Sequence, residues 1–78
     1  MNKPIPDYPE YNYNQWYDAK TNDRPKVLYL LCFFPKEFDI SRFVVCYPNA
    51  DWLSSHQTGK RWDYSDCSKW MALEKFPE

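Results

Sequence analysis

Glycine is almost absent: Gly59 is the only one in 78 residues. A phosphate-cradling loop needs several glycines to bring backbone N–H groups against a ligand, so nucleotide chemistry of that kind is excluded. Histidine is as scarce, with His56 alone. No Cys-x-x-Cys pair occurs, and Cys32, Cys46, His56 and Cys67 are separated by thirteen, nine and ten residues. That is not the paired spacing of a zinc site, so no metal and no cofactor are expected. An excess of one charge sign is missing too. Residues 1–25 carry three basic and four acidic side chains, and residues 26–78 carry seven of each, for a net charge of −1. No basic stripe is present to follow a phosphate backbone, which argues against nucleic acid as the main partner. The longest apolar run, Val27–Phe34, has eight residues, against about twenty for a membrane helix. Met1–Asp7 holds no apolar stretch of the signal-peptide kind. With an odd number of cysteines, the sequence predicts a cytoplasmic protein with reduced thiols.

What the chain has in quantity is aromatic side chains. They are 21% of the residues, with four Trp, seven Tyr and five Phe, while mean hydropathy is −0.84. A chain this short is one domain with a limited core. Each ring can bury roughly 150–250 Å², so a few of them can supply what many Leu and Ile would otherwise give.

The pattern predicts a mainly β fold: an antiparallel sheet of three to four strands over about 26–34, 41–47, 52–55 and 67–73. Residues 1–14 read as an extended arm and 15–78 as a single small β domain. Pro4, Pro6 and Pro9 hold the arm extended. Tyr8, Tyr11 and Tyr13 either cover the protein's own sheet or are offered to a partner. Trp16–Ala19 could add a short strand, and Lys20–Pro25 is a turn by composition. Lys26–Phe34 is apolar on both alternating faces and bounded by prolines, which favours a central strand. Phe38–Ser41 could hold one helical turn. Ser41–Tyr47 is rich in β-branched and aromatic residues. Trp52–Ser55 fits a strand pairing back on it, and a short helix over 50–58, closed by Gly59, is the rival reading. Gln57–Asp66 reads as loop. Cys67–Leu73 alternates as a last strand, and Trp16 and Trp70 are expected together in the core.

Catalytic constellations are hard to assemble. Asp51, Ser54, Ser55 and His56 are sequence neighbours, whereas a triad draws its members from different segments. Asp63 and Asp66 suit a loop turn better than paired acid–base work. No catalytic, cofactor or metal residues are assigned, and the chain is not expected to be an enzyme.

Ser68-Lys69-Trp70-Met71-Ala72-Leu73, followed by Phe76-Pro77, resembles the ending of a small family of uncharacterised proteins of tailed phages and prophages, which close on a Thr-His-Trp-Met-Pro-Leu-Pro-type segment. Trp16, Pro25 and Val27-Leu28-Tyr29-Leu30 are similar to the opening of that family. Lys69 stands where the family has His, and Ala72 and Glu74 replace prolines. The resemblance implies a phage accessory domain and carries no catalytic residues.

The function expected is a phage or mobile-element accessory protein that binds a host or phage protein, for example to inhibit a host enzyme or defence complex, in the bacterial cytoplasm. A single-stranded nucleic-acid binder using aromatic stacking and a structural or assembly subunit are the alternatives. Partner-binding candidates are Tyr8, Tyr11, Tyr13, Trp52, Trp62 and Tyr64, since Tyr and Trp dominate binding hot spots. Strands 26–34 and 41–47 pose a further demand. A sheet that is apolar on both faces needs both covered, and little of this chain is left for the second. Part of that face is therefore expected to meet a protein partner or a second copy of the chain.

Overall fold

The computed structural model describes residues 3–38 and 42–76. Its strands are β1 (Pro4–Ile5), β2 (Tyr8–Asn12), β3 (Trp16–Asp18), β4 (Tyr29–Phe33), β5 (Phe43–Pro48), β6 (Leu53–Ser55), β7 (Arg61–Trp62) and β8 (Lys69–Leu73), with one turn of 3-10 helix over Tyr64–Asp66. β1 and β2 pair as a hairpin, and the rest form one antiparallel sheet in the order β3-β8-β4-β5-β6-β7. The fold is mainly β, as the sequence predicts. Among the described residues no helix is long and apolar enough to cross a membrane.

Register decides which side chains share a face. Leu30 lies opposite both Cys46 and Ala72, and Cys32 opposite both Val44 and Trp70. Side chains alternate across a strand, so Leu30, Cys32, Cys46, Trp70 and Ala72 line one face, and all five are buried. Leu53, Trp62, Phe34 and Cys67 extend that core. The N-terminal hairpin closes over it. Ile5 is buried to 2% exposure, and Tyr8, Tyr11 and Tyr13 pack beside it with Tyr17, Ala19 and Val27. Tyr11 meets the Trp70 ring edge-on at 5.2 Å, and Tyr17 lies 4.9 Å from the same ring. A bond from the Tyr13 N–H to the Lys3 carbonyl (2.8 Å) and a Lys3–Glu74 ion pair tie the hairpin to itself and to the end of β8.

Several local expectations need correction. The arm is a hairpin, because a turn at Pro6–Asp7 returns the chain on itself. The sheet has six strands because the short β3 and β7 extend its edges, and Arg61–Trp62, within the 57–66 stretch that reads as loop, is one of them. β4 begins at Tyr29, since the Val27 N–H bonds the Pro25 carbonyl in a tight turn that leaves Leu28 exposed. β8 begins at Lys69, because the Cys67 N–H closes the 3-10 turn onto the Tyr64 carbonyl. Residues 50–58 hold β6 and no helix. The Asn49 N–H bonds the Trp52 carbonyl in the connecting turn, and Gly59, at φ +75°, closes the next one onto the Ser55 carbonyl. That left-handed backbone is the one place where the lone glycine is needed. The helical turn foreseen at Phe38–Ser41 and the first residue of the 41–47 strand lie outside the described residues, apart from Phe38.

Trp16 and Trp70 are not packed together. Trp16 is opposite Met71, while Tyr17 is opposite Trp70. One position of register therefore sends the two indoles to opposite faces.

An open aromatic sheet face as candidate site

The face turned away from the hairpin carries the other half of every strand. From β4 come Tyr29, Leu31 and Phe33; from β5, Phe43, Val45 and Tyr47; from β8, Lys69, Met71 and Leu73; from β3, Trp16. In β4 and β8 these positions alternate half-buried with the fully buried residues of the core. Phe43 is 49% exposed. The hairpin, the 19–27 connection and the 3-10 turn all pack on the opposite side.

Two ring clusters mark the ends of this face. At one, Phe43 lies 4.8 Å from Phe33 and 5.9 Å from Trp16, and Lys69 Nζ sits 4.7 Å from the Trp16 centroid and 5.4 Å from that of Phe33. A cation over an aromatic face is attracted by the ring quadrupole. It also keeps the lysine stem flat along apolar surface. At the other end His56 packs on Phe76 at 3.9 Å, with Tyr47 at 5.4 Å and Tyr29 at 6.5 Å. Its Nδ1 is buried without a hydrogen-bond partner among the described residues. Beside it a cavity of about 210 Å³ opens between Phe43, Val45, Gln57 and Phe76. Leu31, Val45 and Met71 bridge the two clusters. Met71 is well suited to a contact surface, since its flexible thioether adapts to irregular shapes.

Five of the six residues singled out by composition lie elsewhere. Tyr8, Tyr11 and Tyr13 are half-buried against the chain's own core. Trp62 is buried, stacked on Phe34 at 4.4 Å, and its indole N–H donates to Glu37 Oε2 at 3.1 Å. Tyr64 is half-buried under the Arg24 guanidinium, 3.5 Å above its ring, and its hydroxyl donates to the Asn49 carbonyl. Burial pushes its phenol above the usual range, and the Arg24 charge partly opposes this. Trp52 is half-buried, with the Arg61 guanidinium 4.5 Å from its ring centroid. The structure brings the three tyrosines together as a lid, and Trp62 and Tyr64 as a side wall. None of these five is on the open face, whereas Trp52 packs on Arg61, whose register partner Ser54 lies opposite Tyr47 of that face. Trp16, Tyr29, Phe43, Tyr47, His56 and Phe76 form that face, and composition alone did not single them out. The signal that could have found them is the second alternating set in each apolar strand.

Among the described residues no group of three or more His, Cys, Asp or Glu side chains is arranged to hold a metal ion. Cys32, Cys46 and Cys67 are free thiols, all buried. No protein-family model, no curated protein and no solved structure matches this chain.

Proposed function

We propose that this protein is a binding domain that acts on another protein through the open aromatic face of its sheet, as an accessory factor of a phage or other mobile element. The observation that carries the reading is the pairing of one fully buried apolar face with a second, half-buried apolar face that bears the exposed Phe43. Contiguous apolar surface on a small domain marks an interaction site. Aromatic and Met side chains at the centre, with polar groups at the rim, are the usual composition of a protein interface. The phage origin rests on the resemblance of the C-terminal Trp-Met segment and of the Trp16 to Leu30 opening, and inhibition of a host enzyme or defence complex is the mode such a factor would take.

Affinity capture from bacterial lysate tests this with two forms of the chain. The wild type is expected to retain a stoichiometric protein that the Phe43→Glu variant loses, while a Tyr8→Glu variant with intact fold keeps it. Equal capture by wild type and Phe43→Glu would contradict the assignment of the face.

A second reading draws on Lys69. A cation seated over Trp16 and Phe33 on an open sheet is also how a base-stacking platform begins, with stacking worth about 1–3 kcal/mol per base. Binding of a generic oligonucleotide that weakens steeply with salt would favour it.

A further inference from the structure

On the covered side of the sheet, away from the open aromatic face, a cavity of about 190 Å³ lies against the 19–27 connection. Its deep wall is made by core side chains, Leu30 and Cys32 of β4, Leu53 of β6 and Trp70 of β8. Its rim carries Asp23, Arg24 and Tyr64, and Asp23 is exposed, so the cavity opens to solvent. The rim is held in place. Arg24 Nη2 donates to the carbonyls of Asn49 at 2.9 Å and Ala50 at 3.0 Å, while the guanidinium covers the Tyr64 ring at 3.5 Å. Pro25, next in the chain, is fully buried, and the Asn22 N–H bonds the Asp18 carbonyl at 3.2 Å. The connection is thus anchored at both ends, and the cavity is formed in advance, as ligand pockets usually are.

One polar group in this wall is unpaired. Trp70 is 2% exposed, and its indole N–H is buried with no hydrogen-bond partner among the described residues. A buried Trp N–H ordinarily finds an acceptor, and that of Trp62 does, on Glu37. The two thiols of the wall do not serve. Cys32 and Cys67 turn theirs toward the carbonyls of Leu30 at 3.8 Å and Lys69 at 3.2 Å, and sulfur is only a weak acceptor. Size and charge narrow what fits. A dry cavity of about 150 Å³ holds one benzene, so this one takes a six-membered ring with a small substituent. Its charged side chains, Asp23 and Arg24, stand at the rim, and a charge carried deeper would lose its water without a partner.

We propose that this cavity binds a small neutral single-ring molecule bearing one hydrogen-bond acceptor. The ring lies among Leu30, Leu53 and Trp70, and the acceptor takes the Trp70 indole N–H. Free volume beside the indole lets it tilt so that the N–H meets the acceptor. The site is on the opposite side of the sheet from the proposed protein-binding face, so the two stand or fall separately.

Two probes of one shape test this: acetophenone, which carries a carbonyl oxygen, and α-methylstyrene, which has a methylene in its place. Each is titrated into the nitrogen-15-labelled chain while the four indole N–H signals are followed. That of Trp70 is identified by its nuclear Overhauser contacts with Tyr17, whose ring lies 4.9 Å away. Acetophenone is expected to move the Trp70 signal downfield and to saturate, leaving those of Trp16, Trp52 and Trp62 in place. It should bind about tenfold tighter than α-methylstyrene, the worth of one hydrogen bond to an otherwise unpaired buried donor. Ala19→Leu, which adds bulk to the cavity wall, should abolish the shift, and Phe43→Glu should keep it. If Ala19→Leu fails to fold, the two probes on the wild type still decide. A Trp70 signal unmoved at millimolar acetophenone, equal affinity for the two probes, or a shift that survives in folded Ala19→Leu would each overturn the proposal.

Discussion

Replacing Trp70 by alanine would empty a site enclosed by Tyr11, Tyr17 and Cys32 on the covered face, where the indole is only 2% exposed. The expected cost is about 3–5 kcal/mol, the scale for a buried large aromatic. Trp16→Ala should cost much less. That ring makes one edge contact with Phe43 and one cation contact with Lys69, which together suggest about 1–2 kcal/mol. Paired urea titrations check the ranking, and equal midpoint shifts for the two variants would contradict the assignment of the indoles to opposite faces. Glu37 offers a second residue-scale test. Its carboxylate is 9% exposed, accepts from the Trp62 indole at 3.1 Å and pairs with Lys60 at 2.8 Å. Glu37→Leu leaves the indole N–H of a buried Trp without this acceptor, an expected loss of about 1–3 kcal/mol. Glu37→Gln, which keeps an acceptor oxygen, should recover most of it in the same titration. If Gln were as damaging as Leu, the carboxylate charge and not the hydrogen bond would be responsible.

At the scale of elements, the long strands were legible because they are long. Eight apolar residues between Pro25 and Pro35 leave few choices for β4, and Phe43–Tyr47 is dense in β-branched and aromatic side chains. β1 and β7 have two residues each and β3 has three, too short for any alternation to register. They form because a neighbour presents free N–H and C=O groups, and such pairing is a long-range event. The same limit explains the misplaced tyrosines. Pro4, Pro6 and Pro9 show that the arm is extended, but only the return at Pro6–Asp7 turns Ile5 and the tyrosines inward. Where a run is apolar on both faces, periodicity finds the strand and cannot say which face the rest of the chain will cover. The open face was therefore legible as a demand, and its residues were not.

The whole chain is as compact as its length predicts, with a radius of gyration of 11.8 Å against the roughly 11–12 Å expected of a folded domain this size. Its last strand, β8, lies inside the sheet between β3 and β4, so the sheet closes only once both ends of the chain are in place. Among the described residues the hairpin, the 19–27 connection and the 3-10 turn cover one side, and the other carries rings, Leu31, Val45, Met71 and one lysine, with His56 and Phe76 packed at one end. The claim that this face is where the protein meets its partner is tested most directly by site-specific photo-crosslinking in bacterial extract. A photoreactive phenylalanine analogue would replace Phe43 on the open face in one form and Lys20, an exposed residue of the 19–27 connection, in another. The expected result is a discrete protein adduct from position 43 and none from position 20. Adducts from position 20 alone, from both positions equally, or to nucleic acid in place of protein would contradict the account.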